Sequence, residues 1–232
     1  MHVVDLPQWA IERGAGMNAF AALVPGRTAL VNIDMQTVFL GEDQIYGNPH
    51  ARDIVGNINS LSAAMRGAGA PVIWTRNTHT HEGPCAPPPW QYDACLPTVA
   101  AGIAALQAGA VGHELYPAME VGGGDIVIDK YRYGAFSCPA GALGRTLQAL
   151  SAQMMVITGV LTNLCCESTA REANMAGYKV IFVSDATATV TDAEHNAALL
   201  NLRLNFADVR STREVLAMIA AIDKTACATG AG

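Results

Sequence analysis

Short apolar runs rich in β-branched residues alternate along this chain with longer stretches whose apolar positions recur at helical spacing. Runs of the first kind fall at 28–33, 71–75, 125–129, 154–158, 179–183 and 207–209. Stretches of the second kind cover 51–67, 140–151, 163–176, 192–205 and 212–222. Strands that alternate with helices make βαβ units, and such units build a parallel sheet. The expected fold class is α/β, a single-domain Rossmann-like three-layer fold. Its six-stranded, mostly parallel sheet is expected in the order 3-2-1-4-5-6. Several helix ends are marked by residue type. Thr191 with Glu194, and Ser211 with Glu214, have capping-box spacing, while Gly69 and Gly177 suit left-handed helix stops. The interval 76–124 breaks the alternation. It carries Pro84, Pro87, Pro88, Pro89 and Pro97 together with Trp90 and Tyr92, and a short helix is expected near 99–107. A gap of this length inside an α/β domain usually serves binding or closure.

Composition narrows the picture. Of 232 residues, 51% are hydrophobic, enough for one substantial core, and no linker-like shift divides the chain. The expected layout is an N-terminal extension (1–25), one domain (26–223) and a flexible Ala/Gly-rich tail (224–232). The net charge of −6 is spread without a basic groove, which excludes nucleic acid as an expected partner. No apolar run reaches membrane-spanning length and no signal-peptide pattern opens the chain, so a cytoplasmic protein without membrane association is expected. The six cysteines lack paired metal-ligand spacing and are expected as free thiols. Cys85 and Cys95, which flank the Pro-rich segment, are the pair closest to a disulfide pattern.

The candidate chemistry sits at strand ends. Cys165 lies where an apolar run closes at Gly159 and helix-forming residues begin. A thiol in the first turn of a helix faces free N–H groups and the positive dipole end, which favour the thiolate nucleophile. Asp34 and Lys130 also follow predicted strands, and in an open parallel sheet those ends form one rim. Ligands bind outside that rim where strand order reverses. With the order above, the reversal falls between the strands carrying Asp34 and Cys165. Lys130 starts about 10 Å from the first strand, a distance most of which its stem spans. Each residue alone has an ordinary reading: a turn-forming Asp, a solvated Lys, a small buried Cys. Cys166, about 100° around the helix from its neighbour, suits the last of these.

Three blocks carry a family resemblance: 29–36, ending in Asp34-Met35-Gln36; 127–136, containing Asp129-Lys130-Tyr131-Arg132-Tyr133; and 159–171, containing Asn163-Leu164-Cys165-Cys166-Glu167. In order and at these separations they resemble the signature blocks of the isochorismatase-like cysteine hydrolases, from about Gly26 to the C-terminus. The resemblance implies a catalytic set of Asp34, Lys130 and Cys165. It also implies a cis peptide bond at Val160–Leu161, an oxyanion hole from the N–H groups of Leu161 and Cys165, and a homo-oligomer (dimer or tetramer). Members that cleave the vinyl ether of isochorismate lack the cysteine, so that activity is disfavoured. Nicotinamidases of this fold hold a divalent metal through an Asp-x-His pair and a further His. Here the corresponding stretch is Asn77-Thr78-His79-Thr80-His81, and Asn in place of Asp removes the anionic ligand. No metal and no cofactor are therefore expected, with His79 and His81 the open question.

The 162–169 run looks most like ureidoacrylate amidohydrolases and their N-carbamoyl-cleaving relatives. The implied function is cysteine-dependent hydrolysis of a C–N bond in a small ureido, N-carbamoyl or primary amide substrate through a thioester. The alternatives are a metal-assisted nicotinamidase-type amidase and a catalytically silent binding relative. A redox role for Cys165 with Cys166 is weaker, because vicinal helical thiols do not readily meet disulfide geometry. Gln36, Trp74, Asn77, Tyr133 and Phe136 are the candidate substrate-binding residues, since aromatic walls with few polar groups suit a small planar substrate.

Overall fold

The computed structural model describes residues 1–229, with side chains described as far as Ile222. In chain order the elements are α1 (Gln8–Ala15), β1 (Thr28–Ile33), α2 (Thr37–Leu40), α3 (Pro49–Asp53), α4 (Val55–Gly67), β2 (Val72–Asn77), α5 (Pro97–Ala105) and β3 (Ile126–Lys130). They continue with α6 (Ala142–Ala149), β4 (Met154–Val160), α7 (Glu167–Met175), β5 (Lys179–Ala188), α8 (Asp192–Asn205), β6 (Asp208–Arg210) and α9 (Thr212–Thr229). The six strands form one sheet in the order β3-β2-β1-β4-β5-β6, and every pairing in it is parallel. This is the expected α/β architecture. Strand order reverses between β1 and β4, which pair from Thr28↔Met154 to Ile33↔Gly159.

Alternate residues of a strand face opposite sides, so a central strand feeds two cores. In β1, Leu30 packs in the core with Ile58 and Leu61 of α4 and Val215 of α9. Ala29, Val31 and Ile33 pack on the other side with Leu143 of α6, Ala170 of α7 and Leu199 of α8. All six β1 residues and all seven of β4 are buried, which explains why their sequences read as predominantly apolar runs.

The helix expected over 51–67 starts earlier, at Pro49, and breaks at Ile54 into α3 and α4. Pro49 suits the first turn, and Asn48 caps it by accepting from the His50 N–H. Thr191 accepts from the Glu194 N–H and Ser211 from the Glu214 N–H, and both Gly69 and Gly177 have positive φ. β2 and β5 run past their expected ends, to Asn77 and Ala188. In β5 the polar pair Ser184-Asp185 interrupts the apolar run at a register shift opposite Ile157 and Gly159. Asp185 Oδ1 there accepts from the Thr212 N–H and hydroxyl at the start of α9. The tail expected from 224 is helical as far as Thr229, and its last residues lie outside the described part of the chain. Among the described residues no helix is long and apolar enough to cross a membrane. Cys85, Cys95, Cys138, Cys165 and Cys166 are free thiols, and Cys227 lies beyond the described side chains.

The N-terminal segment lies along α8. The Asp5 N–H donates to Asn196 Oδ1, and Asn196 Nδ2 donates to the Val3 carbonyl. His2 is buried between two other imidazoles, 4.1 Å from His50 and 4.4 Å from His195 between ring centroids. The Thr189 N–H donates to its Nε2 at 3.0 Å, so Nδ1 carries the proton that faces Asp192 Oδ1 at 2.7 Å. His195 Nδ1 pairs with Thr162 Oγ1 at 2.9 Å, and its ring is fully buried. Burial, with His2 beside it, pushes the His195 imidazole down to about 4, against the opposing pull of Asp192. An unfolded imidazole titrates near 6.5. Between those values the unfolded chain binds a proton that the folded chain refuses. The stability that neutral His195 contributes is therefore complete above about pH 6.5 and is lost as pH falls toward 4. Thermal unfolding followed from pH 7 to pH 4 should show this decline, and His195→Gln should lose less melting temperature over that window than the native chain.

Candidate active site

Three strand ends deliver three side chains to one point. Asp34 follows β1, Lys130 closes β3, and Cys165 lies in a π-helical turn (Thr162–Cys166) that follows β4. Asp34 has a φ of 51°, a left-handed conformation that Asp tolerates better than most residues. Its N–H donates to the Thr75 carbonyl at 3.1 Å, which keeps the turn tied to β2. β4 reaches the same point because Gly159 has a φ of 111° and lies against β1. A Cβ there would enter the Ile33 carbonyl, so no other residue brings the strands this close.

Lys130 Nζ lies 2.7 Å from Asp34 Oδ2, and both side chains are essentially inaccessible to solvent. Nζ also donates to the Arg132 carbonyl at 3.0 Å. On the carboxylate, Oδ1 accepts from Thr75 Oγ1 at 2.7 Å. Oδ2 is the oxygen that meets the ammonium as a close ion pair. The Cys165 thiol is within side-chain hydrogen-bonding reach of both Asp34 and Lys130. Burial alone would lower Lys130, but the Asp34 carboxylate and Cys165 outweigh it and hold the ammonium above its ordinary range. The opposite holds for Cys165. Burial pushes its thiol up to about 12, Lys130 pulls it down, and Asp34 pushes it up again.

The helix-terminus effect expected to favour thiolate is opposed here by burial. A thiol at an exposed helix terminus gains from free N–H groups, but here the turn is buried and desolvation dominates. Cys165 rests as a thiol beside a carboxylate oxygen that can accept its proton. Cys166 is fully buried, packs in the core and points its sulfur at the Thr158 carbonyl, 3.8 Å away. The Cys166 N–H reaches the Leu161 carbonyl at 3.1 Å, an i to i+5 bond that passes over the Cys165 N–H. The Val160–Leu161 peptide bond is cis.

The cluster opens onto a cavity of about 700 Å³. Cys165, Leu161, Asn77 and Tyr133 line it, and the 76–124 interval contributes His79, Tyr92 and Ile103 among others. Three of the expected substrate-binding residues lie elsewhere. Trp74 is fully buried in the core, and its indole N–H donates to Asp125 Oδ2 at 2.7 Å. β-strand parity turns it into the sheet face that α4 covers, away from the rim. Gln36 is buried with its amide committed to backbone. Its Nε2 donates to the carbonyls of Asn77 and His113, and its Oε1 accepts from the Asn77 N–H. Gln36 thus joins the Asp34 turn to the end of β2. Phe136 packs against Tyr178 at 5.6 Å, and Glu172 of α7 accepts from its N–H.

His79 and His81 meet edge to face, 5.3 Å apart. Burial lowers His79, with His81 adding to the shift. His81 Nε2 is paired with the Gln107 amide at 2.6 Å. Among the described residues no third His, Cys, Asp or Glu completes a metal-binding group with them. The donor set does not fit a divalent ion of the kind implied by an Asp-x-His pair. Thr75, the donor that holds Asp34, was not anticipated. The visible signal was a hydroxyl at the end of an otherwise apolar strand.

The isochorismatase domain model matches residues 28–214. The chain is 34% identical over 181 residues to nicotinamidase 3 of Arabidopsis thaliana, covering 77% of this chain and 82% of that protein. It is 31% identical over 204 residues to the ureidoacrylate amidohydrolase RutB of Methylobacterium radiotolerans, covering 80% of this chain and 76% of that one. Among solved structures, a cysteine hydrolase from Pseudomonas syringae pv. phaseolicola 1448A superposes with a TM-score of 0.78 at 27% identity. That match covers 88% of this chain and 97% of the other.

The hydrogen bond from Thr75 leads to a direct expectation. Thr75→Val keeps the shape of the side chain and strands Asp34 Oδ1, which should destabilise the fold by about 1–3 kcal/mol. Denaturant unfolding reads that loss, and steady-state kinetics should show turnover falling more than substrate affinity.

Proposed function

The chain belongs to the isochorismatase family, and on that premise we propose that it is a cysteine-dependent hydrolase of small linear amides. It acts on a C–N bond other than a peptide bond, in a ureido, N-carbamoyl or primary amide substrate. The names of its relatives, a nicotinamidase and a ureidoacrylate amidohydrolase, support the amidohydrolase class. One observation supports the cysteine mechanism: a buried thiol within hydrogen-bonding reach of a buried carboxylate that is itself paired with a buried ammonium.

In this reading Asp34 Oδ2 takes the Cys165 proton as the sulfur attacks the substrate carbonyl. Lys130 stays protonated, holds the carboxylate ionised before the transfer and offsets the charge that develops on sulfur. The N–H groups of Leu161 and Cys165 receive the tetrahedral oxyanion. Asp34 then returns the proton to the leaving nitrogen, the C–N bond breaks, and ammonia or an amine departs. The acyl- or carbamoyl-thioester left on Cys165 is cleaved by water, with Asp34 acting again as base, to release the acid and restore the thiol. Asn77 and Tyr133 line the cavity where the substrate lies. No step passes through a metal, in keeping with the donor set around His79 and His81.

The test is ammonia release across carbamoyl, ureido and primary amides, with and without chelator. Activity should appear with at least one class and should be unchanged by chelator. Cys165→Ala should abolish it while leaving the circular dichroism spectrum intact. A quenched reaction should carry the acyl mass on Cys165. Activity that survives in Cys165→Ala would rule out the covalent route.

A further inference from the structure

Residues outside the catalytic cluster line a large cavity. Polar side chains reach it from the strand ends, where Asn77 closes β2 and Arg132 and Tyr133 follow β3, and also from Asn48, His50 and Gln91. Between these polar groups the lining includes an apolar wall. Ile45 and Tyr46 come from the α2–α3 connection, and Val99, Ile103 and Leu106 come from α5 and its C-terminal end. The two parts of that wall are built against each other. Gly102 of α5 is buried against the Tyr46 ring, and a Cβ at Gly102 would enter the ring itself. Tyr46 also stacks on Phe39 at 6.1 Å. Its placement is therefore set by packing on two sides.

Charge adds a second constraint. Among the described residues the lining holds no Asp or Glu, and Arg132 is its one full charge. The guanidinium is spent on backbone carbonyls, those of Cys85, Ala86 and Tyr131, with no acidic partner. His50 and His79 both have imidazoles lowered by burial. A cationic ligand would find no counter-charge here.

We propose that the substrate is an amide or ureide with a bulky apolar body and no positive charge, its head group at Cys165 and its body against the Tyr46–Ile103 wall. The proposal rests on the amidohydrolase reading and narrows it. Cavities of roughly 300–1,000 Å³ hold ligands of drug size. A primary amide of a few heavy atoms would leave most of about 700 Å³ unfilled. An apolar body removes both its own surface and the wall from water, and for a phenyl ring that amounts to roughly tenfold to hundredfold in affinity.

Calorimetric binding to full-length Cys165→Ala protein tests this without turnover. The probes are butyramide, hexanamide, 3-phenylpropionamide and 6-aminohexanamide. Affinity should rise at least tenfold from butyramide to 3-phenylpropionamide, and 6-aminohexanamide should bind more weakly than hexanamide. Ile103→Trp, introduced alongside, should shrink the ratio between the phenyl and butyl compounds. Equal affinities along the series, or tightest binding of the cationic amide, would overturn the proposal. Ammonia release from the native chain reads the underlying chemistry separately. Graded binding without turnover would sink the hydrolase reading and leave the pocket assignment standing, whereas turnover with flat binding would do the reverse.

Discussion

The buried ion pair between Lys130 and Asp34 is the constraint on which the rest of the site depends. Neither side chain is more than 1% exposed, and their closest atoms are 2.7 Å apart. Moving each ion out of water costs several kcal/mol, and mutual attraction offsets this only when geometry and remaining hydrogen bonds are good. The surroundings meet that condition. Thr75 donates to the carboxylate, the Arg132 carbonyl receives the ammonium, and Gln36 ties the Asp34 turn to the end of β2. The pair also reaches across the sheet, from edge strand β3 past β2 to β1. It depends on the register Asn77↔Lys130 on one side of β2 and Asn32↔Trp74 on the other. A slip in either pairing would strand a charge in the interior.

That interior also decides the state of the Cys165 thiol. The dry environment that strengthens the ion pair raises the thiol beside it, which favours its protonated form. A resting thiolate would add an anion next to Asp34 with one ammonium to share. A thiol leaves the charges balanced. Cys166, the same chemical group one position on, packs in the core and is also raised, with burial the leading cause and Lys130 opposing it.

Much of this was legible in the chain itself. The strands at 28–33 and 154–158 were readable because both faces are covered, so most positions are apolar and the buried Asn32 and Thr158 bond each other. The strand ends carrying Asp34 and Lys130 were readable because a parallel sheet gathers such ends on one rim. The errors share a cause, which is the use of residue type without facing. Trp74 is aromatic and near the site in sequence, but one position from Thr75 on a strand places it on the opposite face. Gln36 is polar and adjacent to Asp34, yet its amide is consumed by backbone groups that no local pattern reveals. The depth of Cys165 was not legible, because the helix-terminus argument assumes solvent access and burial is a property of the whole fold.

The same distinction separates chemistry from selectivity. Lys130 ends β3, and Asp34 and Cys165 lie in the turns that follow β1 and β4, so sheet register brings all three to one rim. The wall opposite them is assembled from the α2–α3 connection and α5, segments remote in sequence that meet only through side-chain packing. Gly102 illustrates the consequence. In sequence it is one small residue in an Ala-rich helix, with no polar or catalytic character. In the fold its missing Cβ is the space that the Tyr46 ring occupies. A cavity wall can therefore change through single packing contacts while the ion pair and thiol, fixed by the sheet, remain in place. Cavity walls can diverge among chains that share this Asp-Lys-Cys geometry for that reason.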